Sequence, residues 1–198
     1  MHSKKEKEKL NSTVSRKINN LDFIFENSHP KIVANRNFPE TKLAGLNIGP
    51  LEEGNEYEIP YWAACQLEKS GVINFREEEK PDSASIYKVQ WKERVQAAGK
   101  MSALPENFYP KLRRYLAELK RDIAEQPEKI REYEKTRQLA CDIVNSRLKK
   151  IVSLASTPAR AEQLLKNFTG EEKFIYEQLY KIISEWRVQI LEYDGGEE

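Results

Sequence analysis

Apolar residues recur along the chain in two rhythms. Between Leu21 and Arg76 they come in short runs: Leu21-Asp-Phe-Ile-Phe25, Lys31-Ile-Val-Ala-Asn35, Leu43–Ile48, Tyr57-Glu-Ile59 and Val72-Ile-Asn-Phe75. Turn formers bound them, among them His29-Pro30, Asn37-Phe38-Pro39, Gly49-Pro50 and Glu52-Glu-Gly-Asn55. Brief runs between such breakers predict strands. One helix is predicted among them. Pro60 stands at a favourable start, Tyr61 to Lys69 carries the helix, and Gly71 supplies the C′ residue that ends it.

From Ala84 onward the apolar steps become three and four, the spacing of one helix face. Ile86, Val89 and Val95 mark a first helix that fades near Gly99. Phe108, Leu112, Tyr115 or Leu116, Leu119 and Ile123 mark a second, with Pro110 tolerated in its first turn. The longest periodic stretch is Pro127 to Ser156, which has no glycine and no proline after its first residue. Its stripe runs through Ile130, Tyr133, Leu139 or Ala140, Ile143 or Val144, Leu148, Ile151 or Val152, and Ala155. Thr157-Pro158 breaks it, and a short helix follows with Ala161, Leu164, Leu165 and Phe168 facing inward. Thr169 and Glu172 have capping-box spacing for a last helix. That helix carries Phe174, Ile175, Leu179, Ile182, Ile183, Trp186 and Ile190. Phe174 and Trp186 fit its core stripe, whereas Tyr176, Tyr180 and Arg187 lie partly off it.

The predicted fold class is α+β, predominantly α: a small β-rich N-terminal module followed by an all-helical domain of about five helices. The predicted boundaries are a flexible basic extension over 1–20, the β-rich module over 21–76, a charged linker over 77–83, the helical domain over 84–193 and a frayed tail over 194–198.

Charge changes this picture more than composition does. The net charge of the 198 residues is +1. Six Lys/Arg against two Glu make residues 1–20 basic, and six against eleven acids make residues 21–80 acidic. An acidic module is a poor binder of phosphates on its own. The lysines of the extension alternate with glutamates, as in a solvated tail, although a nucleic-acid-binding arm accounts for the same residues. Cys65 and Cys141 read as buried, reduced thiols of a cytoplasmic protein. No apolar run approaches the roughly 20 residues that span a bilayer, and no secretory signal is read at the charged N-terminus.

Catalytic patterns are not seen. His2 and His29 have no sequence partner that makes a nucleophile pair or a metal set. Neither G-x-G-x-x-G nor G-x-x-x-x-G-K-[ST] occurs. The carboxylates sit at solvent-facing helix spacings. Cofactors and metals are expected to be absent, and the protein is read as a non-enzyme. Two features suggest binding. Arg147, Lys149 and Lys150 form a basic turn late in the long helix, able to meet an acidic partner or a nucleic-acid backbone. Tyr176, Tyr180 and Arg187 are of the residue types that anchor protein interfaces.

At these residues the chain resembles GINS subunits of archaeal type. The resemblance rests on Ile59-Pro-Tyr-Trp62, Leu67-Glu-Lys-Ser-Gly-Val-Ile73, Leu104-Pro-Glu-Asn-Phe-Tyr109, Tyr115-Leu116, Ser146–Ala155, Gly170–Tyr176 and Ile183-Ser-Glu-Trp-Arg187. It covers about Leu43 to Leu191. The small module precedes the helices, as in the B-first subunits related to the second and third eukaryotic Psf proteins. The Lys-rich extension and the Leu21–Asn47 stretch make this B module longer than the compact archaeal form.

The resemblance implies a non-catalytic scaffold of the replicative helicase. Its implied partners are other GINS subunits in a four-chain assembly, the MCM ring, a RecJ-like protein, and primase or polymerase. DNA contact is weak or indirect, and no membrane is involved. The implied location is the cytoplasm at the nucleoid, or the nucleus in a eukaryote. The expected subunit interface comprises Leu104, Phe108, Tyr109, Leu112, Phe174, Tyr176, Trp186 and Arg187. The alternative reading is a stand-alone nucleic-acid-binding module using Arg147, Lys149, Lys150 and the N-terminal lysines.

Overall fold

A computed structural model describes residues 2–76, 79–96, 100–157 and 164–192, with side chains from Thr13 onward except that of Leu164. The chain divides into two compact units, Met1–Pro81 and Asp82–Glu198. The division falls inside the stretch read as a linker.

The first unit opens with helix α1, His2–Glu26. From His2 on, the stretch expected as a tail to residue 20 and the strand expected at Leu21–Phe25 are both helix. The physical reason is spacing. Leu10, Val14, Ile18, Leu21 and Phe25 fall at steps of four, four, three and four, so the short apolar run is the last turn of a longer stripe. Phe25 is buried, with its ring centroid 4.4 Å from that of Tyr61.

Strands β1 (Lys31–Ala34), β4 (Glu56–Glu58) and β5 (Ile73–Phe75) form an antiparallel sheet in the order β4-β1-β5. Ile32 pairs with Tyr57 on one side and Phe75 on the other. The run Leu43–Ile48, expected to be one strand, belongs to a hairpin of β2 (Thr41–Leu43) and β3 (Leu46–Ile48). Ala44 and Gly45 turn it with φ of 49° and 85°, the two positive values a tight hairpin requires. Helix α2 spans Tyr61–Lys69. Gly71 (φ 70°) follows its cap, Gly71 N–H donates to Glu68 O (2.8 Å) and Val72 N–H to Leu67 O (2.9 Å). This is the Schellman pattern that glycine at C′ permits. Ala63 and Ala64 press α2 onto a core of Ile32, Ile48, Leu51, Ile59, Val72 and Ile73.

The second unit contains α3 (Ser83–Val95), α4 (Phe108–Asp122), a 3-10 turn at Pro127–Lys129, α5 (Ile130–Ala155), a 3-10 turn at Leu164–Asn167 and α6 (Gly170–Leu191). Asp82 caps α3, accepting from Ser85 N–H at 2.7 Å, and Thr169 caps α6 with Glu172 completing the box. Pro110 lies in the first turn of α4, where its missing N–H costs nothing. The inward face of α5 is Thr136, Ala140, Ile143, Arg147, Ile151 and Leu154. Of the alternatives the pattern left open, Ala140, Ile143 and Ile151 face inward with Ala155, and Val144 and Val152 lie outside; the one departure is Leu148, which is exposed like them at 42–44% while Arg147 takes its rung. Val95 is likewise exposed rather than inward, and Cys141 is exposed rather than buried. Cys65 is half-buried. Gly99 and Ala161, to which the pattern also assigned places, lie outside the described residues.

Arg147 separates two apolar clusters. On one side Ile86, Val89, Phe108 and Leu112 meet Ala140 and Ile143; on the other Met101, Phe168 and Tyr176 meet Ile151, Leu154 and Ala155.

Candidate interaction surfaces around a buried ionic core

Arg147 projects from the middle of α5 into the core and is fully buried. A buried guanidinium carries five N–H donors that all require partners. Each finds one. Nη1 donates to Glu93 Oε1 (2.5 Å) and to Ser102 O (2.9 Å). Nη2 donates to Glu172 Oε2 (2.8 Å) and Asn167 O (3.2 Å), and Nε donates to Glu172 Oε1. Glu172 also accepts from Tyr109 Oη at 2.7 Å and from Thr169 N–H at 3.0 Å. Glu93 accepts from Ser102 Oγ and from Lys150 Nζ at 2.8 Å. Two cations and two carboxylates close on each other across α3, α5 and α6, with the Tyr109 hydroxyl of α4 added.

The electrostatics follow from this closure. Burial opposes ionisation of Glu93, yet the Lys150 and Ser102 hydrogen bonds and the Arg147 charge outweigh it and hold the carboxyl below its ordinary value. Burial also opposes the Arg147 charge, and Glu172 and Glu93 reverse that, raising its pKa. Burial and the neighbouring Glu172 carboxylate push the Tyr109 phenol far up. On α4, burial and the Glu132 carboxylate push Tyr115 up to about 12; its hydroxyl donates to Glu132 Oε1 at 3.1 Å. The groups are locked in one protonation state near neutrality, as suits a structural pin. Among the described residues no group of His, Cys, Asp and Glu could hold a metal ion.

The basic turn expected at Arg147, Lys149 and Lys150 does not form a surface patch. Arg147 faces inward and Lys150 is spent on Glu93, its side chain 12% exposed. Lys149 alone of the three faces solvent. A cation late in a helix is ordinarily solvated, which is why the sequence misled. The signal was phase: Arg147 stands on the vacant rung between Ile143 and Ile151.

The expected interface residues divide in the same way. Phe108, Leu112 and Tyr176 are buried in the unit's own core, and Leu104, Tyr109 and Phe174 are half-buried. Tyr176 packs between Phe168, edge-on at 5.8 Å, and Tyr180, stacked at 5.9 Å. Arg187 is half-buried and donates to the Ser156 carbonyl, tying α6 to the end of α5. Trp186, expected in the core stripe, is 62% exposed. Ile182 and Ile190 are also exposed, one turn before and after it. Leu179 and Ile183 of the expected set do face inward, joined by Glu172, Tyr176 and Arg187. The pattern did not single out Glu93 and Glu172 as partners of Arg147, because they lie 54 and 25 residues away in sequence.

A helical bundle pinned by a closed ionic core, with large apolar side chains left in rows on its outer faces, defines a protein built to be bound by others. Residues 72–191 match the family model of the GINS complex protein helical bundle domain, and residues 17–74 match that of the PSF2 N-terminal domain. A search of the curated proteins finds no match. The bundle match covers more than half of the chain, which belongs to the GINS family. It is thus a subunit of the GINS complex of DNA replication, whose domains are structural and non-catalytic, and membership implies assembly with other GINS subunits.

Proposed function

We propose that this subunit scaffolds the replicative helicase, holding a four-chain GINS assembly that joins the MCM ring to a RecJ-like partner and reaches primase or polymerase, at the nucleoid or, in a eukaryote, in the nucleus. The order of the matches, N-terminal domain before bundle, supports the B-first kind of subunit. The observation that carries assembly is the row Ile182, Trp186 and Ile190, each about 60% exposed on α6. Rows of this kind are buried in a stable association. We place the subunit contact there, with Phe174 and Arg187 beside it and Leu104 and Tyr109 at its margin. Tyr176 packs in the core beneath α6, and Phe108 and Leu112 hold the neighbouring cluster against α3 and α5. Native mass spectrometry of the chain mixed with the other GINS subunits of its replication system tests this. A four-chain species is expected; a chain that remains monomeric in the mixture overturns it. The nucleic-acid-binding alternative is not favoured, because two of its three helix cations are consumed in the core.

A further inference from the structure

We propose that the outer face of α3 is a second docking ridge, which takes an acidic amphipathic helix of a partner protein outside the subunit assembly. Helix α3 has two opposed apolar faces. Ile86 and Val89 face inward beside Glu93, whereas Tyr87, Trp91 and Val95 are 54%, 55% and 63% exposed. The exposed three recur at i, i+4 and i+8. At about 100° per residue they form one slowly drifting row, roughly 12 Å long. An outer helix of a bundle needs only its inward stripe, so the second row serves something else.

The charges around the row say what it fits. Arg94 lies on one side of it and Lys88 and Lys92 on the other, all exposed. The helix has one carboxylate of its own, Glu93, and that is buried against Arg147 and Lys150. Asp82 at the N-cap is engaged by Ser85. No ion pair of Lys88, Lys92 or Arg94 is seen among the described residues. An apolar ridge with cations on both sides and no exposed acid between them complements a helix whose apolar stripe is flanked by carboxylates. The row is short, helically spaced and includes aliphatic Val95. A nucleic-acid strand instead calls for a longer track of phosphate contacts.

This ridge is on a different helix from the α6 row, so the two are separable by experiment. The full chain is titrated into a fluorescein-labelled synthetic peptide of about four helical turns, with a leucine stripe flanked by glutamates. A twin peptide with lysines in place of the glutamates, and a labelled single-stranded DNA, are titrated in parallel. Saturable binding of the glutamate peptide that weakens with salt is expected, with little binding of the other two. Trp91→Ala is expected to weaken it on the order of tenfold or more, and Lys88→Glu with Lys92→Glu to remove the preference for glutamate. Circular dichroism confirms that the variants fold, and native mass spectrometry is expected to show their assembly with GINS subunits intact. Equal binding of the lysine peptide, preferential binding of the DNA, or a Trp91→Ala variant that binds normally overturns the proposal. Loss of subunit assembly in Trp91→Ala overturns it too, since the ridge is then a subunit contact.

Discussion

At the scale of single residues the molecule turns on Arg147. Removing one member of a buried ion cluster strands the others, and that penalty exceeds the net worth of the interaction. Arg147→Met keeps most of the side-chain volume and leaves Glu172 with only its Tyr109 and Thr169 partners. A loss of about 3–5 kcal/mol is expected, read as a lower urea midpoint at unchanged m. Glu93 makes the pH dependence. Its carboxyl has a pKa below the 4.5 of the unfolded chain. The stability it contributes is therefore fully present above about pH 4.5 and is lost as pH falls through the lower, folded value. Glu93→Gln removes this contribution. The variant is expected to be less stable than the parent at pH 7, and the gap is expected to narrow between pH 4.5 and 2 when both are melted across that range.

At the scale of elements, the capping box of α6 shares a residue with the ionic core, because Glu172 serves both Thr169 N–H and Arg147. The two roles separate by substitution. Thr169→Ala removes only the cap hydroxyl on Glu172 N–H, with an expected cost of about 1 kcal/mol. Glu172→Ala keeps that hydroxyl bond to the backbone, loses only the return bond from Thr169 N–H, and strands Arg147, so the expected cost is several times larger. Thermal denaturation of the two variants checks the order. The same elements show what local pattern conveys. Helices α2, α4 and α6 were legible as elements from their boundaries and apolar spacing: Pro60 and Gly71 bound α2, Pro110 sits in the first turn of α4, and Thr169 with Glu172 starts α6, although the buried face of α6 differs from the one expected. The strands β1, β4 and β5 were legible as short runs between turn formers. Helix α1 was missed because Leu21–Phe25 alone looks like a strand, and the four-three steps that reach back to Leu10 cross a charge-rich stretch. On α5 a single rung was misassigned, to Leu148 in place of Arg147, because an apolar residue was sought there. That site depends on Glu93 and Glu172, and long-range pairs leave no mark on local periodicity.

At the scale of the whole molecule, the distribution of apolar surface decides between a self-contained domain and a component. Tyr176 and Trp186 both lie on α6, ten positions apart, and composition does not tell them apart. Burial does: Tyr176 is 2% exposed and Trp186 is 62%. Their substitutions should have opposite consequences. Tyr176→Ser opens a cavity between Phe168 and Tyr180 and is expected to cost about 3–5 kcal/mol, as large-to-small core changes do. Its effect on assembly follows from lost fold. Ile182→Ser, Trp186→Ser and Ile190→Ser together remove exposed side chains that contribute little to the isolated fold, so the melting temperature should move by only a few degrees. If α6 carries the subunit contact, the triple variant stays folded by circular dichroism and no longer co-elutes with the other GINS subunits in size-exclusion chromatography with light scattering. A triple variant that is folded and still co-elutes moves the contact off α6, and the exposed rows on α3 and α5 become the surfaces to test next.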